Sequence, residues 1–124
     1  MKSSPPVLLV APPVTFETAF PIGLASLASS LRSRGRAVEG LDLRLHPHAL
    51  GERLSRPPGP VLVVTETSIR NLGAVRRILV QVRRAGAFPT AVIGTAAALH
   101  PRAFLGPEGA DFAVTGDPEA GIPG

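Results

Sequence analysis

Cysteine is absent from this chain of 124 residues, which excludes disulfide bonds, a thiol nucleophile and metal clusters held by thiolates. Tryptophan and tyrosine are also absent, and the aromatic rings come from five phenylalanines. Lys2 is the only lysine, so arginine carries almost all of the positive charge behind the net charge of +4. Because stacking aromatics do not accompany these arginines, we interpret them as solvent-facing helix residues and do not expect nucleic-acid binding.

Long hydrophobic runs are also missing. No apolar run approaches the roughly 18 residues that a membrane span needs, and the first, Val7–Ala11, is too short for a secretory signal. We therefore expect a cytoplasmic protein without a membrane partner. A length of 124 residues predicts one domain, residues 1–124, that folds alone, with its core at about residues 7–119. The hydrophobic fraction of 44% is typical of a globular domain with a well-buried sheet.

Apolar runs alternate with amphipathic runs along the chain, which is typical of strands separated by helices. The predicted strands cover residues 7–11, 37–43, 61–65, 90–93 and 112–115. This alternation predicts an α/β protein: a doubly wound, parallel, five-stranded sheet in three α/β/α layers, Rossmann-like (flavodoxin-like), with strand order 2-1-3-4-5.

Two predicted helices carry a clear buried stripe with helical spacing. The first begins at Pro21 and ends near Gly35, and its stripe is Leu24, Leu27, Ala28 and Leu31. The second begins after Asn71, which we expect to cap it, and its stripe is Leu72, Val75, Ile78, Leu79 and Val82. We interpret residues 45–60 as a loop with at most one short helix near residues 49–54. Pro101 can start another short helix, through Leu105.

In such a sheet the carboxyl ends of the strands meet at one edge, where ligands bind. The candidate site residues follow the third, fourth and fifth strands: Glu66, Thr67, Ser68, Gly94, Thr95, Gly116 and Asp117. Their hydroxyl and backbone N–H groups can bind amides and a phosphate. Alternatively, Thr67 and Ser68 cap the following helix, and the two glycines are ordinary turn residues.

Two other kinds of site are disfavoured by the residues. Asp42 resembles the ribose-binding acid of dinucleotide folds, but Pro12-Pro13-Val14 after the first strand cannot cradle a pyrophosphate, so NAD binding is not expected. The pair His46-x-His48 has no third ligand nearby in the sequence, so we do not predict a metal site there.

The order and spacing of several short segments point to a known family. They are Pro21-Ile22-Gly23-Leu24, Thr65-Glu66-Thr67-Ser68, Val92-Ile93-Gly94 and Gly116-Asp117-Pro118-Glu119. From about Val7 to Glu119 the chain resembles the cobalamin-binding domain that precedes the catalytic barrel in B12-dependent radical S-adenosylmethionine enzymes. Two departures are Gly94-Thr95, where the family usually has two glycines, and Pro118 within the acidic segment.

This resemblance implies a corrinoid held at the carboxyl edge of the sheet. The loop after the first strand has no histidine, so the expected state is base-off and His-off, with Val14 or Phe16 shielding the lower face of cobalt. The chain would present cobalamin to a radical S-adenosylmethionine partner or catalytic domain for methyl transfer, without catalysing the reaction alone.

The alternative is a non-catalytic Rossmann-like interaction or regulatory domain that has lost cobalamin binding, which the Gly94-Thr95 departure favours. The sequence also predicts no helix after Thr115. We therefore expect an exposed apolar face that binds a partner or forms a homo-oligomer.

Overall fold

Five parallel strands form one sheet, and helices connect them along the chain. The structure is a computed structural model and describes residues 5–13, 22–68, 70–107 and 109–115. The strands are β1 (Val7–Ala11), β2 (Val38–Asp42), β3 (Leu62–Thr67), β4 (Thr90–Gly94) and β5 (Phe112–Ala113). The helices are α1 (Ile22–Ser33), α2 (Ala49–Leu54), α3 (Leu72–Ala85) and α4 (Thr95–Leu99), followed by a 3₁₀ turn at Pro101–Ala103.

The order of strands in the sheet is β2-β1-β3-β4-β5, and every neighbouring pair is parallel. The predicted α/β class and strand order are therefore confirmed. Every residue of β1 is buried, because helices cover both faces of this inner strand. The less apolar β2 lies at the edge of the sheet, where one side of a strand has no neighbour.

Helix α1 forms the layer on one face of the sheet. Leu24, Leu27 and Leu31 of its predicted stripe are fully buried. They belong to one apolar cluster with Leu9 of β1 and Val64 of β3. Full burial of a leucine contributes roughly 1.5–3 kcal/mol. This stripe therefore fixes α1 over the middle of the sheet, with its first turn at the carboxyl edge.

Helices α2 and α3 form the layer on the opposite face. Four residues of the predicted α3 stripe are buried, and the fifth, Leu72, is half-buried. Ile78 and Val82 pack with Leu8 and Val63 of the sheet. Helices therefore lie on both faces of the sheet, which confirms the α/β/α architecture.

Several boundaries differ from the prediction. Strand β3 continues through Glu66 and Thr67, which are predicted in a turn, because these two residues pair with Ile93 and Gly94 of β4. Helix α4 begins directly at Thr95. The helix predicted from Pro101 to Leu105 is one 3₁₀ turn, and β5 has two residues rather than four.

One large apolar side chain is exposed on the last strand. The register places Phe112 of β5 on the same face as Ala91, which is the face that α1 covers elsewhere on the sheet. Phe112 is 58% exposed. The β5 end of this face therefore carries exposed apolar surface. None of the described helices has both the length and the hydropathy of a membrane span.

Candidate functional site

The candidate site is the edge of the sheet where the carboxyl ends of β1, β3 and β4 meet. The chain leaves β1 toward α1 on one face and leaves β3 toward α3 on the other. In open α/β sheets, ligands bind outside the carboxyl ends of the strands at the point where the chain reverses in this way. The residues that end β3 and begin α4 therefore determine what the edge presents.

The buried side chain of Thr67 connects β3, β4 and α4 at this edge. Its Oγ1 donates a hydrogen bond to the carbonyl of Ile93 in β4 at 2.7 Å and accepts one from the N–H of Ala97 in α4 at 2.9 Å. The residue is only 2% exposed. Its hydroxyl thus satisfies a first-turn N–H of α4, whereas the sequence suggested that it caps the helix that follows it.

Gly94 turns the chain from β4 directly into α4. Its φ of 99° and ψ of 179° form a conformation that almost only glycine adopts. A Cβ there would overlap the backbone oxygen of Thr67 and lie 2.9 Å from its nitrogen. This glycine is therefore required by the turn itself, and the exposed Thr95 is the side chain that follows it.

Asn71 shapes the turn between β3 and α3. Its Oδ1 accepts a hydrogen bond from the backbone N–H of Ser68 at 2.7 Å, and its Nδ2 donates to the carbonyl of Glu66 at 3.1 Å. Asn71 occupies the N-cap position without bonding a first-turn N–H of α3, so the predicted cap bond is wrong. The side chain instead holds Ser68 half-buried at the edge.

The side chain of Glu66 lies between two glycines. A Cβ at Gly23, in the first turn of α1, would overlap Oε1 of Glu66, and a Cβ at Gly94 would lie 3.1 Å from its Cγ. Glu66 pairs in register with Ile93, on the face of the sheet that α1 covers. This contact was not predicted from the sequence. Its one signal there is a glycine four residues before Leu27, on the face of α1 that carries the buried stripe.

Asp42 ends β2 and is bound by its neighbour Arg44. One carboxylate oxygen accepts the backbone N–H of Arg44 at 3.0 Å and its Nε at 3.1 Å, and the other accepts Nη2 at 2.8 Å. These hydrogen bonds hold the pKa of Asp42 below its usual range, although burial acts in the opposite direction. Arg44 therefore binds the carboxylate of Asp42, the residue that resembles the ribose-binding acid of dinucleotide folds.

Some predicted site residues lie outside the described part of the chain: Val14, Phe16, Gly116 and Asp117. The two histidines considered for a metal are exposed, and His48 stands at the N-cap of α2. Within the described ranges no three histidine, aspartate or glutamate side chains come together as a metal site.

A cavity of about 350 Å³ lies at the opposite edge, at the amino ends of β4 and β5. Asp111 lines it, accepting a hydrogen bond from the backbone N–H of Thr90 at 2.9 Å and lying 3.9 Å from Arg83. The polar groups of Asp111 and Thr90 therefore bond one another in this cavity.

Together, the order of the parallel strands and the helices on both faces of the sheet define a Rossmann-like α/β domain. Two solved structures of TsrM, a radical S-adenosylmethionine methyltransferase from Kitasatospora setae, are similar to it. The structure with tryptophan substrate and the analogue aza-SAM bound matches with a TM-score of 0.68 and 26% sequence identity, covering 79% of this chain and 21% of that chain.

The structure of TsrM with cobalamin and a [4Fe-4S] cluster bound matches with a TM-score of 0.66 and 22% identity, over 79% of this chain and 20% of that one. This chain therefore corresponds to about one fifth of the length of the enzyme that it matches. No protein-family profile and no curated protein sequence matches it.

Proposed function

We propose that this chain is a cobalamin-binding module that presents the corrinoid to a radical S-adenosylmethionine partner or catalytic domain. The observation that carries the proposal is the structural match to TsrM at 26% identity over 79% of this chain. TsrM has been solved with cobalamin bound, and the match covers one fifth of that enzyme, which is the share expected of a single domain.

The residues at the carboxyl edge fit the periphery of a corrinoid. Cobalamin carries uncharged amide side chains, which need both hydrogen-bond donors and acceptors. Ser68 and Thr95 offer hydroxyl groups that serve as either, and Glu66 offers carboxylate acceptors. Thr67 and Gly94 support this surface from behind, through the hydrogen bonds and the close backbone approach between β3 and β4.

The remaining predicted contacts complete the proposed site from neighbouring loops. Gly116 and Asp117 would contact the corrinoid after β5, and Val14 and Phe16 would shield the lower face of cobalt after β1. Because residues 12–18 contain no histidine, the proposed cofactor state is His-off. With Val14 or Phe16 in the place of the nucleotide base, as the family resemblance implies, it would also be base-off.

Methyl transfer is the proposed reaction of the assembled enzyme. Cobalamin, when bound, supplies a cobalt–carbon bond from which a methyl group can be transferred. This chain has no cysteine, so the iron–sulfur cluster that radical chemistry needs, held by cysteine thiolates, would come from the partner or catalytic domain. The contribution of the residues described here is to bind the corrinoid and orient it.

Anaerobic titration with hydroxocobalamin and methylcobalamin, followed by absorbance and gel filtration, tests the proposal. We expect pigment to co-elute with the protein and to show a base-off spectrum. A base-on or histidine-ligated spectrum would contradict the proposed cofactor state. No retained pigment at high micromolar cobalamin would contradict cobalamin binding and favour an interaction domain.

Paired substitutions test where the corrinoid binds. The double variant Ser68→Ala/Thr95→Ala removes two hydroxyls from the carboxyl edge, and we expect it to weaken binding by roughly tenfold. Ser33→Ala/Ser55→Ala removes two exposed hydroxyls that bond only local backbone carbonyls and serves as the matched control. Equal affinities of the two double variants would place the cofactor elsewhere on the protein.

A further inference from the structure

Positive charge is concentrated on the exposed side of α3. The helix contains no acidic residue and four arginines, all of them exposed: Arg76, Arg77, Arg83 and Arg84. Seven residues are almost two full turns of an α-helix, so Arg83 lies in line with Arg76, and Arg84 in line with Arg77. The helix therefore carries two parallel rows of arginine, with about 10 Å between the two members of each row.

Little negative charge accompanies these arginine rows. Arg83 lies 3.9 Å from Asp111. Within the part of the chain that the structure describes, the other three arginines form no ion pair. Like charges held close together raise the local electrostatic potential and attract groups of the opposite sign. The arginine rows thus favour a negatively charged partner.

An apolar groove of about 520 Å³ lies between α3 and residues 103–107. Its lining includes Leu79 and Phe104, which are buried, and Leu105, which is 42% exposed. Arg76 lines the same groove. The groove and the arginine rows are therefore adjacent, and we call the two together the α3 surface.

Hydrogen bonds hold the wall of the groove that faces α3. The backbone N–H of Ala110 donates to the carbonyl of Phe104 at 2.6 Å. Nη2 of Arg83 donates to the carbonyl of Gly109 at 2.7 Å, which fastens this segment to α3. Phe104 and Leu79 belong to one buried apolar cluster. The groove is therefore formed before a partner binds, and a preformed surface loses less conformational entropy on binding.

Charge and groove together indicate the kind of partner. A nucleic acid would match the charge, but the ring of Phe104 is buried and cannot stack on a base. A second copy of this chain would bring its own net charge of +4 to a positive surface. A protein segment that carries both carboxylates and an apolar side chain matches both parts of the α3 surface.

We infer that the α3 surface is a docking site for an acidic segment of a partner protein. An apolar side chain of that segment occupies the groove beside Leu105, and its carboxylates pair with the arginine rows. The α3 surface contains none of the candidate site residues at the carboxyl edge, so this inference does not depend on the proposed function.

A fluorescein-labelled synthetic peptide serves as the probe, a helix with leucines along one side and glutamates along the other. One control peptide has glutamine at every glutamate position, and a second has alanine at every leucine position. Fluorescence anisotropy at low ionic strength measures the affinity of the full chain for each peptide. We expect both control peptides to bind at least roughly fivefold more weakly than the probe. Equal binding of either control peptide overturns the inference, as does a probe that does not bind at high micromolar protein.

The double variant Arg76→Gln/Arg84→Gln removes one charge from each arginine row, and we expect it to bind the probe roughly five- to tenfold more weakly than the wild type. Arg32→Gln/Arg34→Gln is the matched control. It makes the same change of net charge at exposed positions at the end of α1, on the opposite face of the sheet. Equal losses in the two double variants would show that only net charge matters and would overturn the inference.

Leu105→Ala tests the groove, and we expect it to weaken binding of the probe by roughly threefold. Leu45→Ala is its control, since Leu45 is 70% exposed and does not line the groove. Circular dichroism checks that each variant is folded. Equal affinities of the two folded leucine variants would overturn the role of the groove.

A labelled oligothymidylate and gel filtration test the other two occupants. Oligothymidylate that binds more tightly than the probe, and loses this affinity in Arg76→Gln/Arg84→Gln, would show a nucleic-acid surface. A dimer of the chain that the same variant dissociates would show that a second copy occupies the surface. We expect neither result, and either one overturns the inference.

Discussion

Thr67 shows how a single residue organises the candidate site. Its hydroxyl connects the end of β3 to the carbonyl of Ile93 and to the N–H of Ala97. Polar residues at the end of an apolar run indicate a turn in the sequence. Here the burial of the hydroxyl and its two partners keep Thr67 in the strand, and those partners are distant in the sequence.

Thr67→Val should therefore destabilise the protein by about 1–3 kcal/mol, because it leaves a buried N–H and a buried carbonyl without this partner. Thr65→Val is the matched control, since the Thr65 hydroxyl is equally buried and makes one bond, to the carbonyl of Val10 at 2.9 Å. Urea denaturation measures both free energies of unfolding. A loss in Thr67→Val no larger than in Thr65→Val would contradict the bridging role.

The Asp42–Arg44 pair predicts a dependence of stability on pH. The pKa of Asp42 is lowered in the folded protein. The contribution of this ion pair to the free energy of unfolding is therefore fully present above the unfolded pKa of about 4. It is lost as the pH falls through the folded pKa of Asp42. Arg44→Gln should destabilise by about 1 kcal/mol at pH 7, and by less as the pH falls below 4.

Arg102→Gln removes the same charge from an exposed position on the 3₁₀ turn and is the control for that experiment. Chemical denaturation across a pH series measures the difference between the two variants. A difference that stays constant from pH 7 to the acid limit would contradict the assigned ion pair.

At the scale of elements, the junction between β4 and α4 depends on glycine. Gly94→Ala forces alanine to a φ of 99° and brings its Cβ against the Thr67 backbone. The loss of stability should exceed the roughly 1–3 kcal/mol that such a conformation costs by itself. Gly35→Ala is the control, because Gly35 has a φ of 79° and open space around it.

Thermal and urea unfolding of the two alanine variants provide the comparison. We expect Gly35→Ala to lose about 1–2 kcal/mol, the cost of the left-handed conformation. Gly94→Ala should lose clearly more. Equal losses would mean that the approach of the Thr67 backbone does not restrict this position.

The elements with a strong period were predictable from the sequence. The stripe of α1 and the buried run of β1 agree with the structure because local pattern and burial coincide there. The one short helix allowed in the loop at residues 45–60 is present as α2. The boundaries at Thr67 and Thr95 were not predictable, since they depend on contacts between strands. The contact between Gly23 and Glu66 joins α1 to β3, and the only indication of it in the sequence is the small residue at position 23.

At the scale of the whole molecule, the strand order gathers distant residues at one edge. β1 lies beside β3 with no intervening strand, so the start of α1 and the end of β3 meet although β2 and α2 separate them in the chain. The chain corresponds to one fifth of the length of TsrM, so the proposed role is to hold a cofactor for chemistry performed by a partner or another domain.

Mapping cobalamin on the ¹⁵N-labelled chain by amide NMR shifts tests the central claim most directly. We predict that hydroxocobalamin shifts the amides at the carboxyl edge, with the largest changes at Ser68, Gly94 and Thr95. The claim is contradicted if these amides do not respond, or if the changes are confined to the opposite edge around Thr90 and Phe112.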